Sequence, residues 1–278
     1  MLIQELFRRS VVGRSQVTQD IVVVLAPRVL CEFAATPALG GSGNIPFLLD
    51  IQDDALQEML ASIPAYSVEE LQKFSAKGFD QSLATHLING LFAGMFLVER
   101  LPEQKTLDEL EQRVWALGYT VHDYTKAYGR KVSAGQMPII RRLVSLMGER
   151  LAFDKFLVEW REYLDDIVFI AQNTQTVQGA NLNLRDYQLR LDKRQRETIR
   201  LLSSVTDLLV HITSPSDVSS RDVRGRDLAY NLREKLEWLF GADMSPHLAY
   251  HKLLEVRGLL SNLLNNALID VLRQQQYE

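Results

Sequence analysis

Most segments of this chain longer than ten residues place their apolar side chains three and four positions apart, and alternating strand patterns are scarce. That period is one face of an α-helix, so it predicts an all-α fold. Ser67-Val-Glu-Glu70 and Thr106-Leu-Asp-Glu109 have capping-box spacing and are read as helix starts. The best strand candidate, DIVVVL at residues 20–25, fits a buried helical turn equally well and is read as helix.

Breaks fall at residues 36–46, 133–138, 173–183, 213–220 and 241–246, where Gly, Pro, Ser, Asn and Asp cluster. None is long enough to be a clear interdomain linker, and no repeat period is visible. The expected organisation is an N-terminal helical appendage over 1–75, a helical core over 76–240 and a C-terminal helical pair over 241–278.

Composition narrows the function classes. Of 278 residues, 46% are hydrophobic and 24% charged, enough for a substantial core in a soluble protein. The net charge of -4 excludes a global basic field, so any nucleic-acid contact must come from local patches such as Arg141, Arg142 and RLDKRQRETIR at 190–200. A charged run of that kind is more often a solvated helix face. Cys31 is the single cysteine, which rules out an intramolecular disulfide or a thiolate zinc site and points to a reducing, cytoplasmic setting. The apolar run Ile21 to Ala26 is too short to span a bilayer, and MLIQELFRRS lacks the order of a secretory signal. No membrane association is expected.

Chemistry concentrates in GYTVHDYTKAY at 118–128. A bare His-Asp pair arises readily by chance, so the surrounding sequence must decide. WALGYTVHDYTKAYGR reads as a helix in which Trp115, Leu117, Val121 and Tyr124 pack and hold His122 and Asp123 at the edge of a core. Two further ligand types stand on other helices. His86 in FDQSLATHLINGLFAGMFLVERL shares a face with Gly90 and Gly94, whose small size lets another helix approach. Asp207 is the one acid in IRLLSSVTDLLVHIT, and a buried carboxylate there needs a cation or hydrogen bonds. Lys126 lies one turn after His122 and could neutralise phosphate charge; its bland reading is a surface lysine. His211, one turn from Asp207, is read as an ordinary semi-buried histidine that can bond that carboxylate.

The order His86, His122-Asp123, Asp207, each on its own helix, resembles the HD superfamily of metal-dependent phosphohydrolases, with the His-Asp-x-x-Lys centre many members share. Together with YHKLLEVRGLLSNLLNNALIDVLR at 250–273, the chain looks most similar to the N-terminal HD domain of the large, Cas10-type subunit of type I-D CRISPR effector complexes. The resemblance implies an HD helical bundle with extra N- and C-terminal helices, leading into a further domain in the full-length family. It implies a divalent ion (Mn, Mg, Ni or Co) held by His86, His122, Asp123 and Asp207. It also implies cleavage of target DNA, preferentially single-stranded, with guide RNA and other effector subunits as partners. Asp123 would orient or deprotonate the attacking water, and Lys126 would steady the phosphate.

The pattern departs from two-ion members in having no His between Tyr124 and Thr206, so one ion is expected rather than two. Gln172 or Asn173 could offer an amide oxygen, a poorer ligand than imidazole. His247 and His251, four residues apart in PHLAYHKL, could complete a site if their helix folds back over the core. Two other readings stay open: an HD phosphohydrolase of nucleotides or cyclic nucleotides, and a non-catalytic HD docking module.

Overall fold

The computed structural model describes residues 15–33, 37–39, 54–65, 67, 81–133, 135–174, 183–211, 233–241, 248 and 251. The all-α expectation holds. Helices α1 (Gln16–Asp20) and α2 (Ala26–Phe33) are joined by a π-helical turn, Ile21–Leu25. Then follow α3 (Asp54–Ala61), α4 (Leu83–Val98), α5 (Glu109–Thr120), α6 (Tyr124–Ala127), α7 (Met137–Arg150), α8 (Leu164–Asn173) and α9 (Lys193–His211), and residues 233–240 are helical. Extended pairing among the described residues comprises a short antiparallel ribbon of β1 (Pro37–Leu39) and β2 (Gln81–Ser82) and an isolated bridge between Ala65 and Arg130.

The strand candidate at 20–25 is thus helical, in a widened form. Pro27 has no N–H to give to the preceding turn, and its ring crowds the carbonyl of an α-helical neighbour. The π turn immediately before it widens the backbone, with the Ala26 N–H reaching back to the carbonyl of Ile21.

One expected cap is shifted, and one helix start forms that the sequence reading did not name. The box expected at Thr106 and Glu109 forms two residues later: Asp108 accepts from the N–H of Glu111 at 2.8 Å, and Glu111 accepts from the N–H of Asp108 at 2.8 Å. Aspartate does the work of threonine because its carboxylate also meets the positive end of the helix dipole. Inside the basic run 190–200, Asp192 and Gln195 make the same reciprocal pair and start α9. Much of that run is spoken for: Arg190 pairs with Glu162, Arg200 with Glu197, and Arg194 lies 3.7 Å from Glu111. The box expected at Ser67 to Glu70 lies outside the described residues.

One hydrophobic cluster runs through the described helices, from Val17 and Phe33 through α4, α5, α7, α8 and α9 to Leu236 and Phe240. Helix α4 packs on α9 and α2, while α5 packs on α8, α4 and α9. The close approach expected at the α4 glycines is present. A Cβ on Gly90 would overlap the Tyr119 phenol, and one on Gly94 would overlap the Trp115 indole. Among the described residues no helix is long and apolar enough to cross a membrane.

Candidate metal centre

The His-Asp pair does not sit within a helix. Helix α5 ends at Thr120, residues 121–123 form a turn, and α6 begins at Tyr124. Val121, with φ -104° and ψ 6°, and Asp123, with φ -93° and ψ 27°, leave helical geometry in the bridge region that turns use. The reason is burial. A continuous helix would splay His122 and Asp123 about 100° apart around its axis, whereas the turn carries both inward, to 3% and 1% exposure. They belong to the core and not to its edge.

Helix α4 brings His86, fully buried, and α9 brings Asp207 to meet them. Nε2 of His86, Nε2 of His122 and Oδ1 of Asp207 form a triangle whose three sides are each 3.3 Å. Ligand atoms about 2.0–2.1 Å from one small divalent ion, meeting it near the tetrahedral angle, stand about 3.3–3.4 Å apart. These three buried residues could therefore hold a metal ion. Asp123 borders the triangle, its Oδ2 lying 3.5 Å from His86 Nε2 and 3.7 Å from His122 Nε2.

The protonation pattern argues the same way. Nδ1 of His122 lies 2.6 Å from the carbonyl oxygen of Tyr119. A carbonyl only accepts, so Nδ1 carries the hydrogen, as it does in most metal-ligating histidines. In a neutral ring Nε2 is then a bare lone pair facing the carboxylate of Asp207. Two acceptors 3.3 Å apart need a proton or a cation between them.

Electrostatics follow. Burial holds His86 down to about 4, against a hydrogen bond to Asp207 that favours its charged form, so this imidazole is neutral at ordinary pH. Burial also opposes charge on His122, but Asp123 and the bond to Asp207 outweigh it and its pKa is raised. Asp123 is driven up by burial and down by Lys126, His122 and His86, with a net lowering. The Tyr119 ring lies 4.7 Å from that of His122, tilted by 35°, and its hydroxyl is pushed far up by burial and by the charges of Asp207 and Asp123.

Lys126 is not a plain surface lysine. Its Nζ donates to Asp123 Oδ2 at 2.8 Å, and its side chain is 14% exposed. The other candidates fall elsewhere. Gln172 donates to Sδ of Met137, and Asn173 donates to the Phe169 carbonyl. Arg141 is bound to Asp165 through two nitrogens, at 2.6 and 2.8 Å, and is not available for DNA in that state. His211 ends α9, His251 is exposed, and His247 lies outside the described residues.

Sequence reasoning missed two contributors. The carbonyl of Tyr119 fixes the His122 tautomer, which only the turn makes possible. Lys235 on the 233–240 helix donates to Ser204, one turn before Asp207 on α9, at 2.9 Å. Comparison with protein-family models, curated proteins and solved structures gives no match, so the reading of this centre rests on its own residues and distances.

Proposed function

We propose that this chain is a metal-dependent phosphohydrolase, and specifically a nuclease domain that cleaves target DNA, preferentially single-stranded, in a cytoplasmic CRISPR effector complex. The observation that carries the first part is the equilateral arrangement of His86, His122 and Asp207, with Asp123 beside it. The DNA substrate, the guide RNA and the partner subunits rest on the sequence resemblance. A divalent ion bound here would supply Lewis acidity toward a phosphoryl oxygen and make a water more acidic.

The protein's own groups then have separate tasks. His86 presents a neutral nitrogen, His122 would present one once its Nε2 proton is displaced, and Asp207 presents an anionic oxygen from α9. Asp123 keeps its carboxylate ionised through Lys126, which suits it to orient a water or take its proton. Lys126 is near enough to steady phosphate charge once substrate displaces part of its bond to Asp123.

A second reading, hydrolysis of free nucleotides or cyclic nucleotides, is favoured by the depth of the centre. The side chains of His86, His122 and Asp123 are at most 1% exposed and that of Asp207 is 9% exposed. One assay addresses both. The parent protein and the His122→Ala/Asp123→Ala variant are incubated with linear and circular single-stranded DNA, and separately with nucleotides, in Mn, Mg, Ni or Co. Metal-dependent DNA cleavage by the parent alone is the expected result. Equal cleavage by both proteins overturns the metal mechanism, and turnover of nucleotides alone selects the second reading.

A further inference from the structure

Helix α9 carries a stripe of polar residues leading to the metal centre. Arg200, Ser204 and Asp207 follow one another at intervals of four and three, so they lie along one face. Ser204 is buried, and Lys235 reaches across from the 233–240 helix to bond its hydroxyl at 2.9 Å. Two cations therefore stand along this stripe, with Lys235 in electrostatic reach of both Arg200 and Asp207. Glu197 takes one edge of the Arg200 guanidinium at 2.8 Å, while Nε of Arg200 is buried with no hydrogen-bond partner among the described residues.

Like charges in a partly buried place repel, and desolvation adds to the cost. Burial and the nearby Arg200 draw the Lys235 ammonium down to about 8, against Glu234 and Asp207, which favour its charged form. An anion lying between the two would relieve both effects. Ser204 and Asp207 are helical neighbours about 5–6 Å apart at Cβ, so an anion that touches Lys235 lies within a phosphate's span of an ion held by Asp207.

We propose that Lys235 and Arg200 form an anion subsite that binds the phosphate group of the substrate next to the His86, His122 and Asp207 centre. This inference rests on the metal-dependent reading above. Within it, Lys126 approaches the phosphate from the Asp123 side and Lys235 from the Asp207 side, so the group is held from two directions. The selected chemistry is a phosphoryl oxygen, from nucleic acid or from a nucleotide.

The test uses the full chain loaded with Mn and titrated with inorganic phosphate by calorimetry, with Mn content measured separately. Lys235→Gln is expected to retain Mn and to weaken phosphate binding ~10-fold or more, the loss of one charge-assisted contact. Lys235→Arg is expected to restore most of it. A role confined to pinning the helix would instead lower thermal stability and leave phosphate affinity unchanged. Arg200→Gln, whose side chain is anchored by Glu197 within α9, gives an independent arm and is expected to weaken phosphate by a similar factor.

Phosphate affinity equal to the parent's in both glutamine variants overturns the subsite while leaving the metal centre standing. A parent that retains no Mn overturns the metal-dependent reading and the subsite with it. Displacement of phosphate by a single-stranded oligonucleotide assigns the source to nucleic acid, and displacement by a nucleoside monophosphate alone assigns it to a nucleotide; either supports the subsite.

Discussion

Asp165 and Asp166, at the start of α8, and Asp123 and Asp207, at the metal centre, are two pairs of buried carboxylates in one helical core, and their oxygens face different things. In the first pair each oxygen meets a fixed N–H. Asp165 takes Nε and Nη2 of Arg141 and the backbone of Gln188, and Asp166 takes the backbone N–H groups of Arg190 and Leu191 at 2.9 and 3.1 Å. They fasten the segment ahead of α9 to α8. In the second pair Asp123 accepts from the Lys126 ammonium beside the two imidazoles, while Asp207 faces imidazole nitrogens, one of which is a lone pair unless a proton or ion intervenes. A buried acid whose neighbours are donors is a clamp, and one whose neighbours are acceptors is waiting for a cation.

The sharpest way to break that contrast is to delete one acid from each pair. Asp207→Ala or His122→Ala is expected to weaken Mn binding by ~100-fold or more, the upper range for disturbing even an outer partner, as read by metal content after dialysis. Asp166→Ala is expected to keep the metal and to lose about 1–3 kcal/mol of folding stability, because the N–H groups of Arg190 and Leu191 lose their acceptor and that of Leu191 is buried. Denaturant titration of both variants checks it. A metal-free Asp166→Ala protein of normal secondary structure would erase the distinction.

Acid provides a gentler test. Below its raised pKa, His122 carries a second proton that bonds Asp207 in the metal-free state. The stability from that proton is fully present below the ordinary 6.5 and is lost as pH rises through the raised value. A metal must displace the same proton, so affinity is expected to rise about tenfold per pH unit up to that value and then level. Calorimetry in buffers of different ionisation enthalpy should show proton release on Mn binding. The smallest effect is expected at Lys126→Ala, which removes the partner of Asp123 but no ligand, at about tenfold in metal affinity or turnover. The Asp165 and Asp166 clamp should respond to none of these changes.

Some of this was legible in the sequence because it is local. The helical period gave the class, the lone acid among apolar neighbours singled out Asp207, and the glycines after His86 foretold where α5 would press. The break at residues 121–123 was hidden because Trp115, Leu117, Val121 and Tyr124 continue a helical rhythm across it. What ends the helix is the gain from sending two adjacent polar side chains to the same place, which no window of sequence contains. Arg141 read as a possible DNA contact for a similar reason: Asp165, its partner, is 24 positions away. Lys235 sits in an unremarkable amphipathic run, and only the packing of its helix over α9 gives it a role.

The helix that carries Lys235 also carries Trp238, whose ring lies 4.0 Å from the ammonium of Lys105, a residue that also bonds the Trp238 carbonyl. The other two tryptophans, Trp115 and Trp160, are each 1% exposed, while Trp238 is 44% exposed. The molecule thus has a built-in optical gauge. Quenching of its intrinsic fluorescence by a water-soluble collider reports chiefly on one side chain, on the same helix as Lys235, so the seating of that element over α9 can be followed without attaching a dye.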